Sequence, residues 1–193
     1  VILNIRGTSG SGKSTLVTTL MERDPDTSPI WSEDKRRIVG YELRPYATGR
    51  LRVVGKYETA CGGCDGIKTQ DEVCERVREY APMGPVLFEG LLISHIYARY
   101  QALHHELTAG GHGPYYWLFL DTPLEVCLDN VRKRREARGK TTPLDPTNTV
   151  QKWHDARRVF DKARADGLDP MWVPYDDAAN WALELLAGRD PRK

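Results

Sequence analysis

The segment GTSGSGKS, residues 7–14, sets glycines, a lysine and a serine in the order G-x-x-x-x-G-K-[ST]. Residues of this kind at this spacing suit a triphosphate. Gly7, Thr8, Ser9, Gly10, Ser11 and Gly12 let the backbone curl so that successive N–H groups point inward, and the helix that follows adds the positive end of its dipole. Lys13 then reaches the β- and γ-phosphates, Ser14 offers its hydroxyl to Mg²⁺, and Thr15 reaches the α-phosphate. The motif implies a nucleotide donor, ATP, with Mg²⁺.

Two acids are placed to complete such a site. Glu89 ends the apolar run VLFE, and in open α/β sheets ligands bind beyond the carboxyl ends of the strands, so Glu89 is the expected Mg²⁺ acid. A base or an acceptor-binding group are its other possible roles. The stretch ETACGGCDGIKTQDE, residues 58–72, holds Cys61 and Cys64 three apart, followed by Asp65. Tetrahedral zinc needs four ligands and the pair supplies two, while a redox C-x-x-C is expected near a thioredoxin-like unit rather than a phosphate loop. The preferred reading is a glycine-shaped loop that presents Asp65 as the base taking a proton from an acceptor hydroxyl. A structural turn is the alternative, and Asp34 the fallback base.

Basic residues gather in EDKRR (33–37), RPYATGRLR (44–52) and NVRKRREARGK (130–140). In the last block Arg132, Arg135 and Arg138 are three apart, near one helix face. Arg132 and Arg135 are the best pair to close as a lid over a transferred phosphoryl group, where catalysis rests on positioning and electrostatics; a solvated basic face is the plainer alternative. No N-K-x-D or D-x-x-G signature of a GTPase is present, and no sensor elements of a remodelling ATPase, so a small kinase fits best.

These groups need a frame. The 193 residues suit one domain, 1–193, with an acceptor-side region over about 30–82 and a lid over about 130–145. Hydrophobic residues make up 40% and charged residues 28%. No apolar run approaches the roughly 18 residues of a membrane span and no secretory signal opens the chain, so a cytoplasmic protein without a membrane partner is expected. The net charge of +1 creates no global field for nucleic acid.

Strands are predicted at 1–6, at 36–44 and 49–58 as a hairpin, and at 84–90, 114–121 and 171–175; helices at 13–23, 69–80, 92–111, 122–139, 145–167 and 176–188, with a break at 24–29. Thr69 followed by Glu72 reads as a capping box. Strands alternating with helices argue for a mainly parallel sheet covered on both faces. The expected fold is an α/β P-loop NTPase fold: three layers, a mainly parallel five-stranded sheet resembling nucleoside-monophosphate kinases, a β-hairpin excursion and an arginine-rich lid helix.

FEGLL after the phosphate loop resembles a strand end of uridine kinases, and FLDTPLEVCLDNVRKRR resembles the lid entry of nucleoside and nucleoside-monophosphate kinases. More closely, RGTSGSGKST, GKYETACGGCDGIKTQDEVCERV and VLFEGLLISHIYARY together resemble the P-loop kinases of tailed phages that phosphorylate 5-hydroxymethyluracil in DNA, over nearly the whole chain. The resemblance implies transfer of the ATP γ-phosphate to the hydroxymethyl oxygen of a modified base, with DNA as partner. It gives the basic hairpin and lid a backbone to contact. A target in duplex would leave the stack to reach Asp65, with Trp31, Tyr41, Tyr46 and Tyr57 as candidate stacking groups, though core packing is the commoner fate of such residues. A kinase of free nucleosides or nucleotides, and a non-catalytic nucleotide-binding module, are the competing readings.

Overall fold

A computed structural model describes residues 1–46, 49–58 and 62–193. Seven strands form one sheet in the order β2-β3-β4-β5-β1-β6-β7: β1 (Ile2–Arg6), β2 (Ser28–Trp31), β3 (Ile38–Tyr46), β4 (Gly49–Val54), β5 (Val86–Glu89), β6 (Tyr115–Asp121) and β7 (Pro170–Pro174). The pairs β4–β5, β5–β1, β1–β6 and β6–β7 are parallel; β2–β3 and β3–β4 are antiparallel. The expected five parallel strands are therefore there, but the sheet has seven. The hairpin is no excursion: β4 is itself a parallel core strand, and β3 continues the sheet outward.

The unexpected strand is β2. Its segment, with Pro25 and Pro29, reads as a break. An edge strand tolerates proline because one row of its backbone groups pairs with nothing, and Pro29 sits opposite Tyr41 on that edge.

Helices cover both faces. On one side α1 (Lys13–Glu22) and α7 (Ala178–Leu186) pack on Leu3, Ile5, Leu87, Leu118 and Val173. On the other, α2 (Gln70–Tyr80), α3 (Leu91–His95), α4 (Ala98–Ala109) and α6 (Thr147–Ala165) cover Ile2, Val86, Phe88, Trp117 and Phe119. Strand β1 alternates between the two cores and is buried along its whole length, Asn4 and Arg6 included. Its last residue, Arg6, is fully buried with its guanidinium 3.8 Å from the Trp117 ring centre, an aromatic face replacing lost water.

The remaining helix, α5 (Leu124–Ala137), follows β6 and crosses the end of the sheet beside the phosphate loop. The single helix expected over 92–111 is two, because Ile96 is extended (φ −90°, ψ 116°) and turns the chain between α3 and α4. Helix α2 starts with the Thr half of the expected capping box, the Thr69 side chain accepting from the Glu72 N–H at 3.1 Å, while the Glu72 carboxylate turns to Arg37 and Arg76 rather than back to Thr69.

Candidate active site

Parallel pairing decides which groups meet. Ile5 lies opposite Glu89 across β1 and β5, so the loop leaving β1 and the acid ending β5 emerge side by side at one rim of the sheet. Residues 9–12 of the glycine-rich loop, Lys13, Ser14, Glu89 and Asp65 all line one cavity of about 970 Å³. That is within the size of a nucleotide or drug-sized ligand site, roughly 300 to 1,000 Å³.

The loop is held from several sides. The Gly7 N–H donates to Ser94 Oγ at 3.0 Å, and Thr122 Oγ1 donates to the Ser11 carbonyl at 2.8 Å. Helix α5 presses on it: Asn130 Nδ2 donates to the Gly10 carbonyl at 2.9 Å, and a Cβ on Gly10 (φ +78°) would lie 2.3 Å from the Cys127 carbonyl oxygen. Only glycine fits there. Lys13 Nζ donates to the carbonyls of Gly7 and Thr8, each at 2.9 Å, folding back over the loop it would serve. Burial lowers its pKa, and the charges of Glu89 and Asp65 oppose that shift. An ammonium bonded to carbonyls that no helix or strand requires can turn to a phosphate without breaking the fold.

Ser14 Oγ donates to Glu89 Oε1 at 2.9 Å. Glu89 is buried, and loss of water pushes its pKa up to about 7 against the pull of Lys13 and the Ser14 hydrogen bond. Hydroxyl and carboxylate oxygens are the hard donors that Mg²⁺ takes, alongside substrate phosphates and water rather than an all-protein cage. Among the described residues no group of three His, Cys, Asp or Glu side chains is arranged to hold a metal. The pair Ser14 and Glu89 fits the phosphate-shared mode.

Asp65 stands in a short 3₁₀ turn, Cys64–Gly66, and is exposed on the wall of the same cavity. Both of its carboxylate oxygens accept from the Leu91 N–H, at 2.8 and 3.0 Å, so it clasps the first residue of α3. Leu91 and half-exposed Leu92 continue that wall as an apolar lip. Cys61 lies outside the described residues. Cys64 is buried and its thiol donates to the Val54 carbonyl at 3.7 Å, with burial raising its pKa well above the ordinary value.

Not every expected residue comes to the cavity. Asp34 sits in the turn between β2 and β3, bonded to Ser32 Oγ and the Arg36 N–H, away from the lining. Arg132 pairs with Asp129 at 3.2 Å and Arg135 donates to Thr142 Oγ1 at 2.9 Å; both line a different cavity, on the other side of α5. Arg134 and Asn130 face the loop instead. The missed signal is helix phase: Cys127 is buried against the loop, and residues three and seven positions on share its face. Of the aromatics, Tyr41 is in the core and tilted against Tyr57 at 6.1 Å, Tyr46 lies beneath Arg44, and Trp31 is exposed on β2. Arg23 donates to Asn180 Oδ1 at 3.2 Å, and both line the same cavity with Tyr175.

The family model for 5-hmdU DNA kinase matches residues 1–173. The chain belongs to the 5-hmdU DNA kinase family. It is 40% identical to the 5-hmdU DNA kinase of Pseudomonas phage PaMx11 over 190 residues, covering 96% of each protein. The 5-hmdU DNA kinase of Pseudomonas phage M6 is 34% identical over 91% of this chain and 92% of its own, and that of Delftia phage PhiW-14 is 31% identical over 97% and 73%. No solved structure gives a significant match. No helix among the described residues is long and apolar enough to cross a membrane.

Proposed function

We propose that this chain is a P-loop NTPase-fold kinase, of the nucleoside-monophosphate-kinase type, that transfers the γ-phosphate of ATP to the 5-hydroxymethyl oxygen of 5-hydroxymethyluracil in DNA. The observation that carries the reading is the cavity in which the glycine-rich loop, the hydrogen bond of Ser14 to buried Glu89 and the exposed carboxylate of Asp65 converge. Membership of a family whose named relatives are DNA kinases supplies the acceptor.

In this reading the loop amides of 9–12 cradle the phosphates, Lys13 swings from the Gly7 and Thr8 carbonyls to the β/γ oxygens, and Thr15 reaches the α-phosphate. Ser14 and Glu89 would hold Mg²⁺, which when bound neutralises charge on those oxygens. Asp65, anchored on Leu91, accepts the proton of the hydroxymethyl group as the oxygen forms its bond to the γ-phosphorus. The bond from that phosphorus to the β–γ bridging oxygen breaks, and ADP leaves with the electron pair. Arg134, facing the loop from α5, stabilises charge on the transferred group; the corresponding role for Arg132 and Arg135 would require α5 to turn.

The test is incubation with γ-labelled ATP, Mg²⁺ and either DNA containing 5-hydroxymethyluracil or the free nucleoside. Label in the polymer is expected. Label confined to the nucleoside would establish a small-molecule kinase, and no label on either would point to a binding module.

A further inference from the structure

Residues 131–144 are the most basic stretch of their length in the chain, ahead of 43–56 with its four lysines and arginines and no acid. Residues 131–144 contain six lysines and arginines against one acid, Glu136, so that with an overall net charge of +1 the rest of the chain carries −4. A stretch of this charge attracts a polyanion.

Three of the six, Arg132, Arg135 and Lys140, line a second cavity of about 730 Å³, separate from the one that holds the phosphate loop. Its floor is apolar, made by Leu128, Pro143 and Leu144. The groove is built rather than accidental. Gly139 (φ +70°) reverses the chain at the end of α5, the Lys140 N–H donates to the Arg135 carbonyl at 3.0 Å, and Arg135 Nη2 donates to the carbonyl and hydroxyl of Thr142 at 3.1 and 2.9 Å. These bonds fold 140–144 back along the helix and fix the width between the two cationic rims.

We propose that this groove binds the phosphodiester backbone of the DNA strand flanking the target base, with Arg132, Arg135 and Lys140 on phosphates and a sugar or base edge on the apolar floor. The proposal rests on the reading that the acceptor is DNA. A cationic groove that tracks the phosphates is the means by which proteins hold a strand without reading its sequence. The body of α5 keeps these groups away from a nucleotide in the phosphate loop, whose own arginine is Arg134. The ion pair of Arg132 with Asp129 is solvent-exposed, and such pairs cost little to break. A helix diameter of about 10 to 12 Å against about 3.4 Å per nucleotide sets the contact about three nucleotides or more from the reacting base.

The experiment compares the wild type with the triple variant Arg132→Gln, Arg135→Gln, Lys140→Gln, and with a control of equal charge loss, Arg158→Gln, Arg164→Gln, Arg189→Gln, on exposed positions elsewhere. Steady-state phosphorylation of a 5-hydroxymethyluracil oligonucleotide is followed over a range of salt. The groove variant is expected to raise KM for DNA about 10-fold or more near physiological salt and to flatten the slope of log KM against log salt by about 2 to 3. Its kcat at saturating DNA and its KM for ATP stay at the wild-type value, and the control leaves all four quantities unchanged. A drop in kcat with DNA KM unchanged would assign the arginines to the phosphoryl group and overturn the proposal, as would an unchanged KM or an equal effect in the control. If the wild type labels only free nucleoside, the DNA reading fails on its own; the Kd of the three proteins for the same oligonucleotide then reads the groove directly, and equal values overturn it.

Discussion

Both carboxylate oxygens of Asp65 accept one backbone N–H, that of Leu91, the residue that opens α3 two positions after Glu89. The proposed base and the proposed Mg²⁺ acid are therefore tied to one short piece of chain. In the proposed mechanism Asp65 both clasps α3 and takes the proton, and variants can separate the two.

Asp65→Asn keeps an oxygen for the Leu91 N–H but removes the base, so kcat is expected to fall by about 10² to 10⁴ with little change in Tm. Asp65→Ala loses the clasp as well and should cost about 1 kcal/mol more in denaturant unfolding. Full activity in the asparagine variant would remove Asp65 from the chemistry and leave it as an anchor for α3.

Glu89 gives a pH dependence with a fixed sign. Burial raises its pKa from 4.5 to about 7, so between those values the folded chain holds a proton that the unfolded chain has released. Stability from this group therefore falls as pH climbs through that window and stays low above it. Glu89→Gln lacks the titration. The stability of the variant relative to wild type should improve from pH 5 to pH 8, by at most about 3 kcal/mol, while Mg²⁺-dependent transfer is lost. In the wild type, added Mg²⁺ should displace the proton and flatten the profile. A constant gap between the two proteins across this range would show that Glu89 titrates normally.

Much of this site was legible, and the reason is that its main parts are local. Strand, loop and helix around Lys13 follow one another in sequence, and Glu89 is marked by ending an apolar run. The clasp of Asp65 on Leu91 spans 26 positions and depends on β4 pairing with β5, which no local pattern encodes. Edge strand β2 was hidden by Pro29, since proline speaks against a strand only where its nitrogen faces a neighbour that needs an N–H. Helix α5 was found, but its phase was not: spacing says that Arg132 and Arg135 share a side, and only the packing of Cys127 on Gly10 says which side meets the loop.

That phase makes Arg134 and Arg132 a matched pair for experiment. Arg134→Gln should lower kcat by about 10² or more on any acceptor, because a charge aimed at the transferred group acts in the transition state. Arg132→Gln, on the far side, should leave kcat at saturating DNA within about twofold. The reverse order, with Arg132 the more damaging, would mean that α5 turns on substrate binding and brings the other face to the phosphates.

Gly63 tests how tightly the acid is boxed in. Its φ of +73° suits only glycine, and a Cβ there would lie 2.3 Å from Glu89 Oε1. Gly63→Ala must strain the backbone and push the carboxylate away from Ser14, so an unfolding cost of about 1 to 3 kcal/mol and a higher Mg²⁺ requirement are expected. The two effects separate in a cycle with Glu89→Ala: without the carboxylate, the alanine at 63 has one obstacle fewer, and its cost should drop by about 0.5 kcal/mol or more. An equal cost in both backgrounds would assign all the strain to the backbone, leaving the position of Glu89 to be set by Ser14 and Lys13.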